Sequence, residues 1–394
     1  MAPCMMSISS FQGPAPRVRP RLVTSLLACA ALCACEPMNV TEDTPLPMQP
    51  RNDTEPDDTQ PDDTQPDEDA DARMSQLLED GERQGFQGVL LVEVAGVRRV
   101  ETGMGTLSER STRVPDSDTA FDCGSIMKDI TQAALFLLQE QGLVSLSQTL
   151  GELFDEAPEV WRDVTLEQVL THRAGFDEYH DTEGDFEEMD RATALATILA
   201  QEPLFEPGTE SAYSNSGYTL LALVIERVTG EDYTTVVRRL VFDPLHMARS
   251  GFYGEPLWTD GNVAVGSGAD VYLDNDPSRW PAPSWALIGN GGLVSTLNDL
   301  LSFARALDGD ALFQPTTREA FARAQPSGSI AGEPVYGYAG GNDFGFDVVI
   351  GQVPTDDTIV LGATHVASPV NVEELAVDLL EALYGEAPEI PPSD

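Results

Sequence analysis

The sequence predicts an α/β fold in which strands from both ends of the folded region build one sheet and a mainly helical lobe is inserted between them. Three observations carry this reading. Two β-rich runs, 88–94 and 97–102, open the region; strand patterns return only near its far end, at 346–353 and 358–361; and the stretch between, 143–307, reads as helices broken by Gly and Pro loops.

Residues 1–73 lack the pattern of a packed domain. Arg17, Arg19 and Arg21 precede an apolar stretch at 22–32, the layout of an export signal. Leu32-Cys33-Ala34-Cys35 then resembles a lipobox, so 1–34 is expected to be a lipoprotein signal peptide and Cys35 the lipidated residue. An ordinary signal peptide with incidental cysteines is the alternative. Glu36 leans towards the outer membrane or cell surface, with the lipid membrane a partner through this anchor. Residues 35–73 are Asp, Glu, Pro, Thr and Gln with almost nothing apolar, including the tandem Asp57-Asp58-Thr59-Gln60-Pro61 and Asp62-Asp63-Thr64-Gln65-Pro66. Such a segment cannot bury enough surface to offset its ordering entropy, and it reads as an acidic, disordered tether. Calcium binding by the Asp repeats is the less favoured reading. Of five cysteines, Cys4, Cys29 and Cys33 fall in the leader, so Cys123 has no partner once Cys35 is acylated. The chain carries 66 acidic and 22 basic residues, a formal charge of −44, which excludes a polyanion such as nucleic acid as partner.

The folded domain is placed at 74–386, with 387–394 a flexible tail. It opens with an amphipathic helix at 74–84, and Ala95-Gly96 joins the first two strands as a hairpin. A long helix starts near Ser125, lines Ile130, Ala133, Ala134, Leu137 and Leu138 along one face, and stops at Gly142. The C-terminal strands flank a turn at 355–357, and a last amphipathic helix covers 372–384. A cleft between sheet and lobe is the natural place for a site.

Lys128 is the only lysine, so the remaining 21 of the 22 basic residues are arginines. Arginine cannot lose its proton in a protein, whereas a desolvated ammonium can, so a lone lysine suggests a base. Ser125 precedes it by one helical turn, which places nucleophile and amine on one face within hydrogen-bond reach. Both lie in the first turn, where the helix dipole disfavours the ammonium. Asp129 lies about 100° around the helix and need not neutralise Lys128. The four histidines, His172, His180, His246 and His365, show no metal-ligand spacing, and His180 reads as part of a solvated acidic loop. No metal and no cofactor is expected, and no Gly-x-Ser-x-Gly elbow is present.

From here the chain resembles the serine β-lactamase and penicillin-binding superfamily, most closely class C β-lactamases, D-Ala-D-Ala carboxypeptidases and related esterases. The segment 121–128 resembles the family's stretch around Ser-x-x-Lys, and 170–176 its Leu-Leu-Thr-His-Thr-Ser-Gly-Leu stretch. Glu206-Pro207-Gly208 with 213–218 matches Pro-Gly…Tyr-x-Asn, and 242–247 and 291–296 match two further segments in the family's order. The resemblance implies an antiparallel sheet built from N- and C-terminal strands, flanked by helices, with an inserted mainly helical lobe. It also implies that Tyr213 is a second base sharing protons with Lys128, that Asn215 binds the substrate's acyl side chain, and that His172 is structural. The oxyanion donors it implies are the amides of Ser125 and Gly341.

The third family motif, Lys or His, any residue, then Gly, is where the chain departs. Its best match is Tyr338-Ala339-Gly340-Gly341-Asn342, with Tyr338 in place of the basic residue and a preceding strand that looks short. Tyr338, Gly340 and Gly341 are thus the expected substrate-side residues. Loss of the basic group disfavours carboxylate-bearing β-lactams and D-Ala-D-Ala peptides and leaves neutral short-chain esters unaffected. The expected activity is acyl transfer from an ester or amide to Ser125 followed by hydrolysis, on a carboxylesterase-like or peptidoglycan-peptide substrate. The alternative is a non-catalytic surface protein that binds a cell-wall fragment on the same fold.

Overall fold

The computed structural model describes residues 68–180, 184–325, 327–367 and 370–385. The leader, Cys35, most of the tether and the C-terminal tail lie outside the described residues. Helix α1 spans Glu68–Arg83 and so begins inside the segment read as tether. Tertiary contacts account for the earlier start: Ala70 and Met74 are buried, Arg73 Nε donates to Ala382 O at 2.9 Å, and Arg99 pairs with Asp71 at 2.7 Å. A polar segment that fails to form a helix alone is held as one by the surface it packs on.

Strands β1 (Gly88–Val94) and β2 (Val97–Met104) form the expected hairpin, with φ of 49° at Ala95 and 78° at Gly96. Positive φ at both turn residues is the two-residue geometry that matches strand twist. The C-terminal strands β6 (Ser327–Ile330), β7 (Glu333–Gly341), β8 (Asp347–Val353) and β9 (Thr358–Thr364) complete a six-stranded sheet, in the order β2-β1-β9-β8-β7-β6. Every adjacent pair is antiparallel. The termini therefore meet at the β1–β9 pairing in the middle of the sheet. Every residue of β9 is buried, because helices cover both faces.

On one face α1 packs with the last helix, α11 (Val372–Tyr384), around Leu90, Val349, Val360 and Leu379. The other face carries α2 (Ile126–Glu140) and α9 (Leu297–Asp308), which bury Phe121, Phe136, Phe303 and Leu361 in the main core. Beyond α2 lies the helical lobe: α3 (Leu150–Leu153), α4 (Glu159–Arg162), α5 (Leu166–Leu170), α6 (Arg191–Leu199), α7 (Asn215–Thr229) and α8 (Tyr233–Val237). Helix α10 (Pro315–Arg323) packs against α2 through Phe321 and Phe136, their rings 5.5 Å apart.

The structure corrects three expectations. A second, three-stranded sheet, β3 (Phe121–Asp122), β5 (Leu293–Ser295) and β4 (Gly251–Phe252), lies within the region read as helical. Its strands are too short to show a period-two pattern. Strand β7 is nine residues long, bears the third motif at its end and carries Tyr336 before it, so the strand leading into the motif is not short. His180 is fully buried rather than solvated, and burial holds its pKa down and keeps it neutral.

Candidate active site

Ser125 occupies the N-cap position of α2, but its side chain does not cap the helix. A capping serine typically contributes about 1 kcal/mol; forgoing that bond leaves the hydroxyl free for chemistry. Its Oγ stands 2.9 Å from Lys128 Nζ and 2.5 Å from the Tyr213 hydroxyl. Gly124, at φ +45°, bends the chain into the helix, and a Cβ built there would lie 2.8 Å from Gly341 N. A Cβ on Gly340 would lie 2.7 Å from Ser125 N. Two glycines are thus required for the end of β7 to touch the nucleophile turn.

Lys128 is 4% exposed, and its Nζ also donates to Asn290 O at 2.8 Å. Asn290 is itself fixed by bonds from its Nδ2 to Thr219 Oγ1 at 2.8 Å and Ala286 O at 3.1 Å. Burial lowers the Lys128 pKa to about 7, against the opposing pull of Asp129, Asp185 and Glu178. The principal cause is desolvation. Burial also pushes the Asp129 carboxyl up to about 8, and its pull on Lys128 does not offset the desolvation. Near neutrality a large fraction of Lys128 is a free amine beside the nucleophile.

Tyr213 precedes α7 in a stretch held on two sides. Ser214 N donates to His172 Nδ1 at 3.1 Å, and Ser214 Oγ accepts from Gly217 N at 2.9 Å while donating to Asp177 O at 2.8 Å. The His172 ring lies 4.8 Å from that of Tyr213, and burial with the nearby Lys128 charge lowers its pKa to about 3, so it stays a neutral acceptor. Lys128 Nζ sits 4.8 Å from the centre of the Tyr213 ring. Tyr213 is 43% exposed at the rim, yet its hydroxyl points inward, where desolvation outweighs the Ser125 bond and raises the phenol pKa. The resting group is therefore a neutral phenol, and the readily deprotonated base is Lys128.

Ser125, Asn215, Asn290, Gly341, Asn342 and Asp185 are among the groups lining an open cleft of about 320 Å³. Among the described residues no Lys, Arg or His lines it, and burial raises the Asp185 carboxyl. Tyr338, expected as a substrate contact, is not there. It shares the inward face of β7 with Gly340, is 5% exposed and belongs to the main core. Alternation along a strand explains the placement: two residues back from the glycine that touches the nucleophile turn, the side chain points under α2 rather than into the cleft. Asn290, Asn342, Asp122, Tyr253 and Asp185 escaped the sequence reading. Asp122 and Asn342 lie inside the segments that carried the family resemblance and Asn290 directly precedes one, whereas nothing local marks Asp185. Among the described residues no group of His, Cys, Asp and Glu is arranged to hold a metal.

A serine–lysine–tyrosine triangle built on a buried lysine, at the seam between an antiparallel sheet and a helical lobe, is a site of serine-hydrolase type. The beta-lactamase family profile matches residues 70–363, and the chain belongs to that family. It is similar to a penicillin-binding protein of Bacillus subtilis (strain 168), 24% identical over 295 residues that cover 71% of this chain and 63% of the relative. The chain thus spans less than two thirds of that relative's length. Similarity to the esterase EstB of Burkholderia gladioli is 26% identity over 293 residues, 66% of this chain and 74% of the esterase. Among solved structures, a class C beta lactamase from Rhodobacter sphaeroides superposes with a TM-score of 0.65 at 19% identity, covering 79% of this chain and 98% of the other.

Proposed function

We propose that the protein hydrolyses an ester or amide through an acyl-enzyme on Ser125, and that the part of the substrate held in the cleft carries no carboxylate. The observation that carries this is the placement of Ser125 Oγ between Lys128 Nζ and the Tyr213 hydroxyl. In the attack, Oγ bonds to the carbonyl carbon and its proton passes to the neutral Lys128 amine. The resulting oxyanion accepts from the Ser125 and Gly341 amides. Tyr213 hands a proton to the leaving group and is reprotonated from Lys128, after which water releases the acid by the reverse sequence. The absence of a basic lining residue and the presence of Asp185 support the restriction on carboxylates. EstB supports the ester reading by likeness alone.

The test is incubation with a fluorophosphonate followed by mass spectrometry of the modified peptide. One adduct on Ser125, absent from Ser125→Ala, is expected, together with faster turnover of a neutral short-chain ester than of a cephalosporin. Equal labelling of Ser125→Ala would overturn Ser125 as the nucleophile, and a wild type that takes no label would favour a non-catalytic binding protein. Export and lipidation at Cys35 complete the proposal, and Cys35→Ser should move the protein from the membrane to the soluble fraction.

A further inference from the structure

Asp122 takes no part in the chemistry described above, yet it is fully buried three residues before the nucleophile. Its carboxyl group accepts hydrogen bonds from its own turn and from the far end of β7, with the Tyr253 hydroxyl nearby. Oδ1 accepts from Gly124 N at 3.2 Å and Oδ2 accepts from Asn342 Nδ2. Gly124 N belongs to the turn that presents Ser125. Asn342 follows Gly341 directly, and its own Oδ1 closes the β7–β8 turn by accepting from Phe344 N at 3.1 Å. Tyr253 follows β4, tied to the glycine loop by its N–H to Gly292 O at 3.3 Å.

One carboxylate therefore joins the two segments that carry the oxyanion donors. A Cβ at Gly124 or Gly340 would collide with the facing backbone, so the two segments approach directly there. Carboxylates are rarely buried without a cation, since desolvation costs several kcal/mol that only good hydrogen bonds offset. We infer that Asp122 is a positioning residue that sets the spacing between the Ser125 and Gly341 amides, so that both point at one developing oxyanion. Small displacements of such donors cost rate rather than affinity, because the oxyanion exists only in the transition state.

The inference rests on the hydrolase reading, so the experiment separates the two. Purified wild type and Asp122→Asn are titrated with a fluorophosphonate, recording the labelled fraction and the rate constant apart. Asn keeps the volume of Asp but replaces one acceptor oxygen with a donor that opposes Asn342 Nδ2. The expected result is a labelled fraction near wild type with a rate constant roughly 10- to 100-fold lower, and ester kcat reduced likewise with KM little changed. The swap Asp122→Asn with Asn342→Asp restores one carboxylate–amide pair and should recover much of the rate. A purely structural residue would lower the labelled fraction and leave the rate constant alone. A rate constant for Asp122→Asn within about threefold of wild type overturns the positioning role. Wild type that takes no label overturns the hydrolase reading and the positioning role with it. Should Asp122→Asn fail to fold, Asn342→Ala removes one donor and keeps the carboxylate. It is expected to show the same selective loss of rate, and equality with wild type is the overturning result.

Discussion

Lys128 Nζ lies 2.8 Å from the carbonyl oxygen of Asn290, a bond made across the cleft floor between α2 and the glycine loop before β5. That carbonyl fixes where the amine sits, and burial decides its charge. A position and a lowered pKa together make a base out of a residue that is ordinarily a surface cation.

Lys128→Arg keeps a cation in place but cannot release a proton. Ester kcat/KM should fall by roughly a hundredfold or more, the usual contribution of proton transfer. Loss below about fivefold would mean that Tyr213 is the effective base.

The pH dependence follows with a definite sign. The free amine is the active form and its pKa is lowered to about 7, so kcat/KM should rise with pH through that value and then level off. Lys128→Arg should abolish the rising limb. A profile already flat between pH 5 and 9, measured with a neutral ester, would exclude Lys128 as base.

The same shift makes Lys128 a cost to stability. Between the folded value of about 7 and the ordinary 10.5, the unfolded chain binds the proton and the folded chain does not, so this group's contribution improves as pH rises through that window. Lys128→Met should be inactive, yet more stable than wild type by roughly 1–3 kcal/mol at pH 6, with the gap closing towards pH 10. Urea unfolding at the two pH values measures it. A gap that widens with pH would show the sign to be wrong.

Arg305 Nε donates to Glu93 Oε1 at 2.6 Å, and Glu93 is 1% exposed on β1. Arg305→Ala leaves a buried carboxylate without its partner and should lower stability by roughly 2–4 kcal/mol, somewhat under the full buried-pair figure because the arginine is half exposed. Glu93→Gln should cost less. Equal effects in thermal melts would mean that the charge plays no part.

Tyr338→Phe should leave ester turnover within about threefold of wild type, since the ring fills core beneath α2 and the hydroxyl does not line the cleft. Tyr338→Ala should cost roughly 3–5 kcal/mol of stability. A large loss of kcat/KM in the Phe variant, at unchanged stability, would place the phenol in the cleft.

The Ser125–Lys128 pair was legible in the sequence because one helical turn separates the two residues and no other lysine competes. Local periodicity likewise disclosed the hairpin at Ala95-Gly96, α2 and α11, since a strand or helix leaves its period in the chain that forms it. The family's motif order further pointed to Tyr213, Asn215 and Gly341. Tertiary structure alone decided the remainder. Whether Lys128 is an amine depends on desolvation by Asn290, Tyr213 and Tyr218, which come from distant segments. Whether Tyr338 meets substrate or core depends on which face of β7 turns under α2. The bond of Asp122 to Asn342 joins residues that no spacing rule connects. Dihedral preference and periodicity are properties of neighbours along the chain, whereas charge state and donor alignment are properties of neighbours in space.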